Sequence, residues 1–160
     1  MTRSAFSLLV VLAASLPAAP ADASARLNRT ERAVVRHVNY VRGAHGLPSV
    51  RASRPLSDAA DSHSRDMLQH DFFDHTSSDG TPFDRRIRRY ARARLVGETL
   101  AALGQRHPRG AAIVRMWMDS PTHRAVLLTA GFRRIGIAGR WGTLGGEGQA
   151  VVTADFASRR

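Results

Sequence analysis

Near residue 133 the hydrophobic period of this chain changes, and that change restricts the possible folds more than any bulk property. Before it, apolar residues recur every three or four positions, as on a helix face; after it they alternate, as on a strand. Val34, Val38 and Val41 share one face of a helix predicted over 30–43, with Thr30 as cap and Glu31 against the N-terminal dipole. Gly43 and the Gly46-Leu47-Pro48 turn end that helix. Pro55 opens a second helix whose apolar face carries Leu56, Ala60, His63 and Met67, and whose pattern stops near Asp71-Phe72-Phe73-Asp74. Asp79-Gly80 is a turn dipeptide, and Thr81-Pro82 reads as cap plus first residue of a short third helix with Phe83 and Ile87 inward. Residues 109–118 predict another helix with Ile113, Val114 and Trp117 inward. Ser120-Pro121 repeats the cap-plus-proline signal before a short turn carrying His123 and Leu127. Ile135 and Ile137 then share one face, Gly142 to Gly146 marks a turn, and Val152, Ala154 and Phe156 alternate with polar or smaller neighbours. Helices first and strands last predict an α+β domain, its mostly antiparallel sheet covered by helices.

A length of 160 residues suits one domain. The absence of Cys excludes disulfides, thiolate metal sites and a thiol nucleophile. All 24 basic residues are Arg, which excludes Schiff-base chemistry and a P-loop lysine. The first 25 residues carry the parts of a secretory signal: Arg3, the apolar run Phe6 to Leu16, and small residues at Ala21-Asp22-Ala23 and Ala23-Ser24-Ala25. That run is too short for the roughly 20 residues of a membrane span, and no second apolar run follows. The expected product is therefore an exported domain over 26–160 that acts as a monomer, with no transmembrane segment once the signal is removed. It keeps the net charge of +11, since the leader carries one charge of each sign. Such a surface attracts anionic envelope polymers, glycans or lipids; no base-reading motif points to nucleic acid.

Three segments carry the chemistry: His75-Thr76-Ser77-Ser78-Asp79-Gly80, Val96-Gly97-Glu98-Thr99-Leu100-Ala101, and Trp117 to Leu128 with its Ser120-Pro121-Thr122-His123 core. With Asn39-Tyr40-Val41-Arg42 and Gly46-Leu47-Pro48 before them, and Ile135-Gly136-Ile137 after, they resemble the bacterial branch of the CAP superfamily. This superfamily comprises the cysteine-rich secretory proteins, antigen 5 and the plant pathogenesis-related proteins. The resemblance covers residues 34–157 and implies a three-layer α-β-α sandwich with a cleft lined by two His and two acids, in which some members hold a divalent metal. Position by position it places His75, Glu98 and His123 in that cleft and puts Ser120 where many members have the second acid. Thr99 replaces the Asn of the family's Gly-Glu-Asn.

Two imidazoles and a carboxylate suit a weakly held divalent ion such as Zn or Mg, with His75, His123 and Glu98 as the implied ligands. They lie too far apart for a local zinc motif, so their convergence is what the resemblance implies. A plain hydrogen-bonded cleft is the competing reading. His63 reads as a satisfied core histidine, and Ser120 as a helix cap rather than a nucleophile. The sequence offers no second acid to act as base beside Glu98, which favours a non-enzymatic binding module over a metal-dependent envelope hydrolase. A lipid or sterol carrier is a third reading, requiring an apolar cavity.

Overall fold

The computed structural model describes residues 27–159, so the expected leader lies outside the described residues. The chain runs α1 (Arg29–Ala44), β1 (Arg51–Ala52), α2 (Arg54–Gln69), α3 (Phe83–Tyr90), β2 (Val96–Leu103), α4 (Gly110–Asp119), α5 (Pro121–Leu127), β3 (Arg134–Leu144) and β4 (Glu147–Ala157). The four strands form one mixed sheet in the order β1-β3-β4-β2. β2, β4 and β3 are antiparallel neighbours, and only the two-residue β1 pairs in parallel, with β3.

The two faces of this sheet are covered differently, and β4 shows how. Val152, Ala154 and Phe156 join Val34, Val38, Ile113, Trp117, Phe132, Ile135 and Ile137 in an apolar core beneath α1 and α4. Their neighbours Val151 and Ala157 point the other way, into smaller clusters with Met67 and Leu56 of α2. β4 is thus buried on both faces, as the middle layer of an α-β-α sandwich, which the period-two pattern of Val152, Ala154 and Phe156 only half reveals. Gly136 lets α2 approach: a Cβ there would stand 2.0 Å from the Leu56 backbone carbon and 2.2 Å from Ser57 N.

Several local expectations shift. Asn28, not Thr30, caps α1, accepting from Glu31 N at 3.0 Å, while Glu31 accepts from Asn28 N at 2.8 Å. α3 begins at Phe83 after Pro82, and Thr81 makes no side-chain cap. The glycine-rich turn narrows to Gly145-Gly146, both at positive φ, because β3 and β4 extend to Leu144 and Glu147. β2, noticed only as a motif, is an edge strand whose Leu100 carbonyl accepts from the buried Trp117 indole at 2.8 Å.

Candidate functional site

The Asn39-x-x-Arg42 pair of α1 builds the frame. Asn39 pairs with the backbone of Val50 in both directions, at 2.8 and 3.0 Å, as a neighbouring strand would. Arg42 is fully buried with no carboxylate partner among the described residues; it donates to Pro48 O (2.9 Å), Leu127 O (2.6 Å), Thr129 O (3.1 Å) and Phe132 O (3.2 Å). Burial and the nearby Arg133 charge pull its pKa down. These bonds fix the segment after α5 against α1, and that segment supplies one wall of a cleft.

The cleft lies along the free edge of β2. It is a cavity of about 400 Å³ whose lining includes His75, Phe83 and Glu98 on one side and Val126, Thr129 and Phe132 on the other. Glu98 is its chemical centre and is almost wholly buried. His75 Nδ1 donates to one oxygen at 2.7 Å, and Arg86 donates to the other. Burial alone would raise the Glu98 pKa, but the His75 hydrogen bond and the Arg86 charge outweigh it and hold the group ionised. Glu98 in turn raises the pKa of His75, against the effect of its partial burial. Arg86 also donates to His75 O and Ser77 Oγ, both at 3.0 Å, so one guanidinium clamps the His75 loop onto β2.

The expected site residues divide accordingly. His75 and Glu98 are brought together. His123, on α5, is close enough to His75 for that ring's charge to lower its pKa, second to the effect of burial. Neither His123 nor Ser120 lines the cavity itself. Ser120 occupies the cap position of α5, yet its hydroxyl makes no cap bond; it pairs with Thr122 Oγ1 at 3.1 Å. Each Glu98 oxygen already accepts one hydrogen bond, so ligation by Glu98 would compete with His75 and Arg86 for the same carboxylate. Among the described residues, no group of three or more His, Asp or Glu is arranged around one ion position.

Three participants were not legible as site residues. Arg86 is one of many arginines on an amphipathic helix. His63, which the sequence presents as a satisfied core residue, has Nε2 on Asp74 O at 2.8 Å while Nδ1 has no partner among the described residues. Burial lowers its pKa, and the Glu98 charge opposes this. Asp155 is the second acid that the sequence did not reveal. It is completely buried directly opposite Glu98 in the β2–β4 ladder, where among the described residues no donor reaches its oxygens and its neutral carboxyl can donate to Glu98. Burial, then the Glu98 charge, raises its pKa well above the ordinary aspartate range and so favours its neutral form. Strand register is the signal that finds it, since Glu98 and Asp155 are far apart in sequence.

A second cavity, of about 630 Å³, lies on the other face between the start of α1 and the β3–β4 ribbon. Val34, Ile137 and Val152 form its floor. Its mouth carries Arg29, and Arg106 stands 5.9 Å above the Trp141 ring.

The family model described as "Cysteine-rich secretory protein family" matches residues 35–143. Protein YkwD of Bacillus subtilis is 34% identical over 117 residues, which are 72% of this chain and 44% of YkwD. The membrane protein YlbC of the same organism is 28% identical over 109 residues, 68% of this chain and 31% of YlbC. The chain therefore spans less than half the length of either relative. An extracellular protein containing an SCP domain from Bacillus anthracis superposes with a TM-score of 0.69 and 27% identity, covering 91% of this chain and 45% of that one. An outer surface protein of Borrelia burgdorferi shares the fold with a TM-score of 0.67 at 20% identity, over 81% of this chain and 92% of its own. No helix among the described residues is long and apolar enough to cross a membrane.

Proposed function

Because the chain belongs to the cysteine-rich secretory protein (CAP) family, we propose that it is an exported binding module whose His75–Glu98 cleft receives anionic ligands of the cell envelope. The observation that carries this reading is the full engagement of Glu98. A carboxylate held ionised by His75 and Arg86 is a poor proton acceptor, and its neighbour Asp155, whose neutral form burial favours, is sealed away. What the cleft offers a ligand is instead the half-exposed His75 ring, with Nδ1 tied to Glu98 and Nε2 left over.

That arrangement also suits a divalent ion. A carboxylate that orients an imidazole through Nδ1 leaves Nε2 as the ligating atom, so His75 and His123 would hold the metal and Glu98 would support from behind. Two imidazoles favour Zn over Mg, and solvent or the bound ligand would complete the coordination. The ion would supply a positive point for an anionic oxygen. Its affinity falls as pH drops, because each imidazole must shed a proton before ligating.

Co-sedimentation with isolated envelope material tests the binding reading. Wild-type protein should pellet intact with the polymer and release no soluble fragments. Fragments accumulating with time would mark a hydrolase instead. Elemental analysis should find zinc in the wild type and the Ser120→Ala variant but not in His75→Ala or His123→Ala; zinc retained equally by all four would remove the metal.

A second reading, a lipid carrier, is supported by the apolar-floored cavity beside α1. If it operates, Ile137→Trp should block uptake of a fluorescent fatty acid without disturbing envelope binding. Uptake unchanged by that filled floor would end the carrier reading.

A further inference from the structure

The arginines that give the chain its charge are not spread evenly. Three separate segments, 85–95, 128–134 and 156–159, together contain many Arg and no Asp or Glu, and the fold brings them to one end of the sheet. Their backbones are laced together there: Ser158 N donates to Leu95 O at 2.9 Å, Leu95 N to Ser158 Oγ at 3.2 Å, and Arg133 N to Ala157 O at 2.9 Å. The result is a concavity of about 600 Å³ lined by Arg94, Leu95, Gly131, Arg133, Ser158 and Arg159.

The charges in it are not cancelled from within. Arg133 donates to the carbonyls of Ala130 (2.5 Å) and Phe132 (2.8 Å), which orient a guanidinium without neutralising it. Arg94, Arg133 and Arg159 make no salt bridge among the described residues, whereas Arg88 nearby is paired with Asp84 at 2.6 Å. Arg133 is thereby oriented for bidentate contact with phosphate or carboxylate, and Arg94 and Arg159 line the same hollow with no internal side-chain bond among the described residues.

The concavity adjoins the His75–Glu98 cleft. Leu95 lines both, and its side chain rests against Gly131, where an added Cβ would meet it at 2.9 Å. A ligand reaching from one hollow into the other must therefore be elongated and pass over Leu95. The surroundings also speak against a bilayer. Among the described residues Leu95 is the one exposed large apolar side chain that borders the concavity, and these residues form no apolar patch to insert beside the charges.

The geometry points to Arg94, Arg133 and Arg159 as the anchor for a linear polyanion, a polar chain bearing repeated phosphate or carboxylate groups, whose next units run over Leu95 into the His75–Glu98 cleft. This rests on the cleft being a ligand site and names the class of ligand.

Fluorescence anisotropy with labelled poly(glycerol phosphate) and oligogalacturonate, each in a long and a short form, provides the test. The two chemistries separate a phosphate polymer from an acidic glycan, and preference for either supports the anchor. Arg94→Ala/Arg159→Ala should weaken binding of the preferred long oligomer by about tenfold or more at roughly 0.1 M salt. Neither side chain makes an internal bond among the described residues, so the fold is not at stake. The charge-matched control Arg36→Ala/Arg115→Ala, on exposed turns of α1 and α4, should cost about twofold or less. Equal losses in the two double variants would reduce the anchor to net charge and overturn it. Binding to phosphatidylglycerol vesicles but to neither oligomer would overturn it as well. His75→Ala should weaken the long form while sparing the short one. Loss in the arginine variant with no effect of His75→Ala keeps the anchor and fails the cleft reading alone.

Discussion

The two faces of β4 are both buried, but between Val151 and Ala157 they are built from opposite materials. Toward α1 and α4, Val152, Ala154 and Phe156 sit in a continuous apolar core. Toward α2 and α3, Thr153 and Asp155 are just as inaccessible, and Asp155 faces the Glu98–Arg86–His75 group. Apolar burial is non-directional, so the first face needs only volume and shape. The second face works through bonds of fixed direction: among the described residues His63 Nδ1 and Arg86 Nε are unmatched, and Asp155 meets no donor and has only Glu98 to bond with. A buried polar group without a partner costs stability. Most of that cost lies behind the cleft; Thr99 Oγ1, opposite Ala154 on the apolar face, is an exception.

The largest expected effect probes how closely α2 seals the polar face. Gly136→Ala places a methyl into the Leu56–Ser57 backbone and should cost about 4 kcal/mol or more, read from the urea midpoint. A near-neutral result would show that α2 slides freely on the sheet, and the contrast between a rigid and a tolerant face would collapse.

Next comes the ion pair. Arg86→Leu strands Glu98 as a buried charge and should destabilise by about 3 kcal/mol, whereas Arg86→Leu/Glu98→Leu should recover much of that loss. Additive losses in a double-mutant cycle would mean the two groups are not coupled. The Glu98 contribution has a definite sign with pH. Its folded pKa is depressed, so its stabilisation is present above the ordinary glutamate range and fades as pH falls through the folded value.

Asp155 should give the smallest effect and the opposite sign. Its folded pKa is raised, so the stability it contributes is full below the ordinary aspartate range and is lost as pH climbs toward the folded value. Asp155→Asn cannot ionise. Measured by urea unfolding across that range, its stability relative to wild type should therefore improve steadily with pH. A pH-independent difference would mean that Asp155 is ionised in the folded protein and that Glu98 does not face a neutral neighbour.

The sequence alone settled the class of fold, because period and order are local properties. Helical spacing up to Leu127 and alternation from Ile135 onward identified the helices and the β3–β4 ribbon, and the motifs around His75, Glu98 and His123 marked the family. Boundaries depended on which side chain reached an orphan backbone group, which is why Asn28 rather than Thr30 caps α1. β1 is two residues long and owes its pairing to β3, so it had no period of its own to read. Tertiary structure alone decided the partners. Register set Asp155 against Glu98, an amphipathic helix delivered Arg86 to Glu98, and three arginine-bearing segments met at one end of the sheet only because β2 and β3 begin where β4 ends. A sequence records which charges a chain carries; their pKa values, pairings and shared hollows depend on distances and burial that exist only once the strands are in register.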